Sequence, residues 1–262
     1  MPGITSLQNT RVKTIVKLRD DRRARQREGV TLVEGCYEIE LALAGGLRPR
    51  EVFFCEELAA GKRVAGLDLE PVTVSRPVFE KMSHREGPDG WLAVFPVPRR
   101  TLDRLPLSPA PLLVLAESVE KPGNLGAILR TADAAGVDAL LVCDPRVDLY
   151  NPNVVRASRG TLFTVPAVET ASAEALTWLR QRGVRLLAAT PQAETLHFEA
   201  DWRGPVCLAV GAEDEGLTNF WLENADLRVK IPMAGKVNSL NVSVSAAIIL
   251  YEAVRQRRQT GR

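Results

Sequence analysis

Metal-binding and disulfide chemistry are thinly supplied in this chain of 262 residues. It holds two histidines, His84 and His197, and four cysteines, Cys36, Cys55, Cys143 and Cys207, all far apart in sequence. No zinc-ligand spacing results, and an even cysteine count in a chain this long does not mark a disulfide framework. No apolar run approaches the ~20 residues of a spanning helix. The opening Met1-Pro-Gly-Ile-Thr-Ser6 lacks the apolar core of a signal peptide. The expectation is a reduced, cytoplasmic protein without a metal. A large charge excess is missing too: the formal net charge is +2, too small to identify a partner, so any argument about nucleic acid must come from where the charges sit. There is no internal repeat and no low-complexity tract.

The charges that are present sit unevenly. Arg11, Lys13, Lys17, Arg19, Arg22, Arg23, Arg25 and Arg27 face only Asp20 and Asp21 along one stretch, which reads as a basic helix, and Arg255, Arg257, Arg258 and Arg262 repeat the bias near the other end. Such runs are either solvated faces or phosphate-binding surfaces. Arg22, Arg23 and Arg25 are the candidate phosphate contacts.

Five prolines between Pro96 and Pro111, with Arg99, Arg100 and Arg104 among them, cannot continue a helix or central strand. This divides the chain into a first domain (1–100), a Pro-rich linker (101–110) and a second domain (111–262). In the first, short apolar runs (Val30 to Val33, Val52 to Phe54, Trp91 to Phe95) alternate with helical patterns such as Tyr37 to Ala44, predicting a small α/β domain. In the second, apolar runs recur at Leu112 to Ala116, Ala139 to Cys143, Val184 to Ala189, Val206 to Val210 and Leu227 to Ile231, with helical segments between several of them. Near-continuous apolar strands separated by helices predict a parallel sheet covered on both faces. Ligands of such sheets bind beyond the carboxyl ends of the strands.

Three loops at those ends carry the polar residues of interest. In the first, Pro122 and Gly123 turn the chain and Asn124 sits where a helix N-cap belongs; Gly136 closes the helix. Arg130 has Ile128, Leu129 and Ala132 as neighbours, which predicts a buried guanidinium needing a partner, or else an i,i+3 pair with Asp133. In the second, Gly211-Ala-Glu213-Asp-Glu-Gly216, the glycines permit close backbone approach to a ligand. Its three acids have no further carboxylates or histidines at convincing metal spacing. In the third, from Ile231-Pro-Met233 into the last helix, Ser239, Asn241 and Ser245 place more polar groups at a helix start than capping requires.

In this order and spacing the segments closely resemble the three motifs of SpoU/TrmH-type RNA methyltransferases of the SPOUT superfamily: Asn124-x-Gly126-x-x-x-Arg130, Gly211-x-Glu213-x-x-Gly216, and Ile231-Pro-Met233 through Ser239-Leu240-Asn241. Residues 1–100, including Arg27 to Gly35, resemble that family's substrate-binding domain, with an L30e-like α/β fold. The resemblance implies a deep trefoil knot through which the last helix is threaded. It implies S-adenosyl-L-methionine (SAM) as cofactor, held around Gly211, Ile231, Met233 and Leu240. It implies methyl transfer to a ribose 2'-hydroxyl, with Arg130 gripping an RNA phosphate and orienting the hydroxyl. Asn124, Ser239 and Asn241 would position the arginine or the ribose, and Glu213 would brace the loops. The separate first domain favours 23S ribosomal RNA, in a housekeeping or an antibiotic-resistance role; tRNA and a non-catalytic RNA-binding protein are the alternatives. The resemblance also implies a homodimer, and the last helix, Asn241 to Arg258, is apolar around so much of its circumference that it should be buried on all sides.

Overall fold

The computed structural model describes residues 3–259; Arg262 of the basic C-terminal run lies outside them. In chain order the elements are α1 (Thr10–Asp20), α2 (Arg22–Glu28), β1 (Val30–Glu34), α3 (Cys36–Ala44), β2 (Glu51–Phe54), α4 (Glu56–Ala59), β3 (Val72–Thr73), α5 (Arg76–Met82) and β4 (Trp91–Pro96). A 3-10 turn (Leu102–Arg104) precedes β5 (Leu112–Glu117), α6 (Pro122–Ala135), β6 (Ala139–Cys143), α7 (Pro152–Ala157), β7 (Ala167–Thr170), α8 (Ser172–Gln181), β8 (Arg185–Ala189), β9 (Thr195–Leu196), β10 (Val206–Val210), α9 (Asn219–Asn224), β11 (Leu227–Lys230) and α10 (Val242–Gln259). They form two compact units, residues 3–99 with 150–164, and residues 100–149 with 165–259. Residues 150–164 are an excursion: they sit between strands of the second unit in sequence but pack within the first.

The first unit has a four-stranded sheet in the order β1-β4-β2-β3, with β4 antiparallel to both neighbours. Its core gathers Val12, Ile15 and Leu18 of α1, Val78, Phe79 and Met82 of α5, and Phe53 and Leu92 of the sheet. The basic stretch is not one helix. Asp21 leaves helical geometry (φ −111°, ψ 107°) and its carboxylate accepts from the Arg23 and Ala24 amides at 2.8 and 3.2 Å, capping α2 and so breaking the run into two. The break turns Arg25 inward. It is 4% exposed, and its guanidinium donates to the carbonyls of Leu18 (2.8 Å) and Arg19 (3.1 Å), capping the C-terminal end of α1. Arg22 and Arg23 are exposed; Arg25 is not available to a phosphate in this fold.

The second unit is a seven-stranded parallel sheet in the order β7-β6-β5-β10-β8-β11-β9. Strands β5, β6 and β10 are buried at every residue, as an apolar run without alternation requires when both faces are covered. Leu113, Leu115 and Leu141 cluster with Trp178 and Leu179 of α8 and Trp221 of α9; α6 and α10 pack on each other, and α10 also touches β10. Two further strands, β7 and β9, extend the edges beyond the five expected from sequence. The Pro-rich stretch is not an open linker: Leu102 and Leu105 are buried in this unit's core, and the Asp138 carboxylate accepts from the amides of Ser108 (2.7 Å) and Leu112 (2.9 Å). All four cysteines are free thiols. Burial pushes those of Cys143 and Cys207 well above the usual thiol range, which leaves them unreactive. Among the described residues no helix is long and apolar enough to cross a membrane.

The last helix departs from its expectation. Val242, Ala246, Ile249, Leu250 and Ala253 are buried, but Val244 (46%), Ile248 (37%) and Tyr251 (53%) are exposed at i, i+4 and i+7 spacing, an open apolar stripe. Its end is fastened by Arg257, whose guanidinium donates to the carbonyls of Trp202 (3.0 Å), Gly204, Ala110 (2.8 Å) and Pro111 (3.3 Å). The Ala110–Pro111 and Gly204 carbonyls lie just ahead of β5 and β10, so one side chain ties three segments. Arg257→Met keeps the stem and removes the donors. It should cost about 2 kcal/mol, the range of hydrogen bonds to a charged group, and lower the melting temperature by about 4–8 °C. Thermal unfolding by circular dichroism reads this, and an unchanged midpoint would show that water serves those carbonyls equally well.

Candidate active site

The order of the seven strands places the crevice. From β5 the chain steps outward to β6 and β7, then crosses to the far side of β5 to lay down β8 and β10, so β5 and β10 are neighbours whose following loops diverge. That reversal is where open parallel sheets hold ligands. Glu117 and Val210 end the two strands, in register one residue apart (Val210 opposite Ala116). The loop after β11 starts two strands away, yet its end at Asn241 returns to the first turn of α6.

Helix α6 begins at Pro122 with Lys121 as its N-cap, so Asn124 lies inside the first turn and is not the cap. Its amide is left free to reach across the crevice. The Asn124 Nδ2 donates to Glu213 Oε1 of the β10 loop, and the Asn124 Oδ1 accepts from Asn241 Nδ2 at 3.1 Å. Asn241 Oδ1 in turn accepts from the backbone amide of Ser243 (3.0 Å) and from its hydroxyl (2.6 Å), capping α10. A carboxylate only accepts, so the direction of the chain is determined: Ser243 donates to Asn241, Asn241 to Asn124, Asn124 to Glu213. Three of the residues singled out from sequence are thereby brought into contact from three loops.

The others are placed differently. Ser239 is exposed, and Ser243, which sequence reasoning passed over, takes the hydroxyl position beside Asn241. Arg130 is exposed and not buried; α6 hides Leu125, Gly126, Ile128, Leu129 and Ala132, and turns Gly123, Arg130 and Ala134 to solvent. Its guanidinium has no ion pair with any other described residue, Asp133 included. An exposed cation without an ion pair among the described residues is available to an anion from outside. Ile231 and Met233 are half-buried and Leu240 is exposed.

Gly211 is required by its own loop. A Cβ there would lie 2.1 Å from the backbone of Gly216, which folds back to exchange hydrogen bonds with Ala212 (3.1 and 2.9 Å) at φ +70°. Its place is therefore fixed by a tight closure of the loop. Two of the three acids in this loop are already committed: Glu213 to Asn124, and Glu215 to Arg146 at 3.2 Å, while Arg146 also holds Glu120 of the β5 loop. Sequence reasoning missed this bridge and a second one. The buried Glu117 carboxylate accepts from the Thr218 amide (2.8 Å) and hydroxyl (2.7 Å), locking β5 to the start of α9. An acid at the end of an apolar strand, followed elsewhere by a threonine at a helix start, is the only signal that pointed there. Ser118 and Asp144, at the ends of β5 and β6, take left-handed backbone (φ 51° and 47°) that disfavours side chains, so the crevice floor is held in strained turns.

The model of the SpoU rRNA Methylase family matches residues 111–251, and that of the MRM3-like substrate binding domain matches residues 9–93. The chain is 35% identical over 265 residues to the 23S rRNA (uridine(2479)-2'-O)-methyltransferase of Streptomyces viridochromogenes, covering 97% of this chain and 92% of that protein. A solved RNA 2'-O ribose methyltransferase superposes with a TM-score of 0.86 at 43% identity, covering 98% of this chain and all (100%) of that one. The SpoU methyltransferase AviRb from Streptomyces viridochromogenes, in complex with the cofactor AdoMet, superposes with a TM-score of 0.85 at 33% identity, covering 97% and 100%. The family match spans more than half of the sequence and a relative aligns along nearly its whole length: the chain belongs to the SpoU rRNA methylase family.

Proposed function

We propose that this protein transfers a methyl group from SAM to a ribose 2'-hydroxyl of 23S ribosomal RNA. The observation that carries the reading is the amide chain from Ser243 to Glu213, which joins three loops at the sheet's reversal point, on the helix whose exposed Arg130 has no ion pair among the described residues. The loop residues fit the cofactor. Among the described residues, positions 231–240 make no backbone hydrogen bond to the rest of the chain, so their amides and carbonyls are open to a purine edge. Ile231 and Met233 offer half-buried apolar side chains, Leu240 an exposed one at the far end of the loop, and Gly211 with its closed turn a rigid stretch of backbone. When bound, SAM supplies the electrophilic sulfonium methyl.

The residues of the chain do the positioning. Arg130 grips the RNA phosphate next to the target ribose with its planar fork and turns the 2'-hydroxyl toward the methyl. A guanidinium keeps its proton above about pH 12, so the arginine is not a free base; the proton of the 2'-hydroxyl passes to the gripped phosphate, or is relayed through the arginine, as the oxygen takes the methyl and the sulfur is left as a neutral thioether. Asn124 and Asn241 hold the first turns of α6 and α10 in fixed relation, Ser239 lines the ribose side, and Glu213 anchors the amides. Membership of the family supports the trefoil knot of the superfamily, with the last helix threaded through a loop. In the first unit, Arg22 and Arg23 contact RNA phosphates. The open stripe of Val244, Ile248 and Tyr251 packs on a second copy, making a homodimer.

Three outcomes test this. Incubation with labelled SAM, 23S rRNA and excess chelator should label a single ribose, and Arg130→Ala should lower turnover about a hundredfold or more, the scale of losing one transition-state contact, with SAM affinity by calorimetry unchanged. Arg130→Lys should not restore it. An Arg130→Ala enzyme near wild-type turnover would sink the assignment. Asn124→Asp sets a carboxylate against Glu213; it should lower the melting temperature at neutral pH more than Asn124→Ala does. That deficit should shrink between about pH 7 and pH 5 as one of the two acids takes up a proton. A pH-independent deficit would mean that the two side chains are apart. Light scattering should give twice the 28.7 kDa of one chain, falling to one chain for Ile248→Glu; a monomeric wild type refutes the dimer.

A further inference from the structure

Among the described residues four non-glycine positions have left-handed backbone: Ala60, Ser118, Asp144 and Arg159. Ser118 and Asp144 belong to the crevice. Arg159 belongs to the excursion in the first unit, one residue past the C-cap Ser158 of α7, at φ 55° and directly before Gly160 at φ 82°. Position 159 is where helices ordinarily place glycine, because a Cβ is unfavourable there. An arginine held in that conformation calls for a use of its side chain.

The side chain reaches two groups on α3. Its Nε lies 3.4 Å from the Glu38 carboxylate, and its guanidinium carbon sits 5.8 Å from the centroid of the Tyr37 ring. The ion pair does not explain it. Glu38 is 3% exposed and is already neutralised by Arg85 at 2.8 Å, a closer and more buried partner. Arg159 remains 57% exposed, and Tyr37 is 52% exposed, a large aromatic ring left in water beside a cation. In the same unit His84, Arg85 and Arg156 line one small cavity whose other walls include Leu32, Met82 and Val155; Arg156 is exposed and forms no ion pair with another described residue. The nearby acids are turned inward. Glu34 accepts from the Ser83 hydroxyl and the His84 amide, Asp89 from the Cys36 amide, and Glu40 from the Ala65 amide. Tyr37 and Arg159 therefore make an aromatic and cationic pair, with the carboxylates of Glu34, Glu38, Glu40 and Asp89 already engaged.

We propose that Tyr37 and Arg159 form a stacking platform for an unpaired RNA base, with the exposed Arg156 as the cation for a flanking phosphate. A flat ring and a guanidinium plane are the two surfaces on which single-stranded bases stack, and neighbouring cations hold the backbone. This deepens the reading of the protein as an RNA-acting enzyme and rests on it. It also gives the excursion a purpose: residues 150–164 fall within the match to the methylase family, yet deliver Arg156 and Arg159 to the substrate-binding unit.

The test uses the full chain, a short labelled single-stranded RNA of mixed sequence, and the same strand annealed to its complement. Tyr37→Ala and Arg159→Gly should each weaken single-strand binding by about fivefold or more, the effect of losing a stacked base. Tyr37→Phe, which keeps the ring, should bind like wild type, and duplex affinity should stay within about twofold throughout. Arg159→Gly should melt at or above the wild-type temperature, since glycine suits the left-handed position, so its loss of binding cannot come from misfolding. Single-strand affinity unchanged in both variants, an equal loss on duplex, or Tyr37→Phe as weak as Tyr37→Ala would each overturn the platform. Methylation of 23S rRNA, measured alongside, separates the two readings: a wild type that binds single strands through Tyr37 but methylates no ribosomal RNA fails only the activity.

Discussion

The site depends on one directional hydrogen-bond chain, Ser243 to Asn241 to Asn124 to Glu213. Its links span 117 and 89 residues of sequence, so no local propensity assembles it; the sheet has to bring the loops together first. Once together, the polarity leaves no freedom. Glu213 can only accept, which commits each amide in turn, and reversing any one would set donor against donor or acceptor against acceptor. The result is a rigid joint between the starts of α6 and α10, the two helices that pack on each other beside β10. Glu117 with Thr218, and Arg146 with Glu120 and Glu215, brace the remaining loops outside it. A crevice built this way is ordered before a substrate arrives, and ordering set in advance lowers the cost of orienting a hydroxyl for attack.

What was legible in the sequence follows the physics of each feature. Doubly buried strands such as Leu112 to Ala116 and Val206 to Val210 announce themselves because burial on both faces removes polar residues. The short edge strands β7 and β9 do not, since Ala167–Thr170 is half exposed and Thr195–Leu196 is only two residues long. Asn124, Glu213 and Asn241 were identifiable by type and spacing, but their mutual contact was not. Asn124 read as a cap because Pro122 was taken for part of the turn, whereas proline at the first helical position starts the helix. Arg130 read as buried from its apolar neighbours in sequence; at 100° per residue those neighbours point elsewhere. The excursion of residues 150–164 was invisible, as nothing in its composition tells which of two cores it will join.

Arginine is where sequence and structure diverge most, and the divergence has a single cause. Counting basic residues treats every guanidinium as available, but its five donors make it the side chain best suited to gather several carbonyls at once. Arg257 collects carbonyls ahead of β5 and β10, Arg25 closes α1, and Arg19 holds the carbonyls of Lys81 and Ser83 (2.8 and 2.9 Å). These belong to the fold. Arg22, Arg23, Arg130 and Arg156 stay exposed. The positive charge that reaches solvent is thus concentrated in fewer places than the basic runs of a chain of net charge +2 imply.

The exposed stripe of α10 bears on the same division of labour. Val242, Ala246, Ile249, Leu250 and Ala253 are the residues of α10 buried in this unit, while Val244, Ile248 and Tyr251 keep 46%, 37% and 53% of their surface exposed. Leaving three large apolar side chains in water on a helix whose first residues cap the site is unfavourable unless something covers them. Covering them with a second copy would make the start of α10, and through Asn241 the start of α6, more rigid in the dimer than in a single chain. The joint that orders the crevice and the face that would form the dimer are then two sides of one helix.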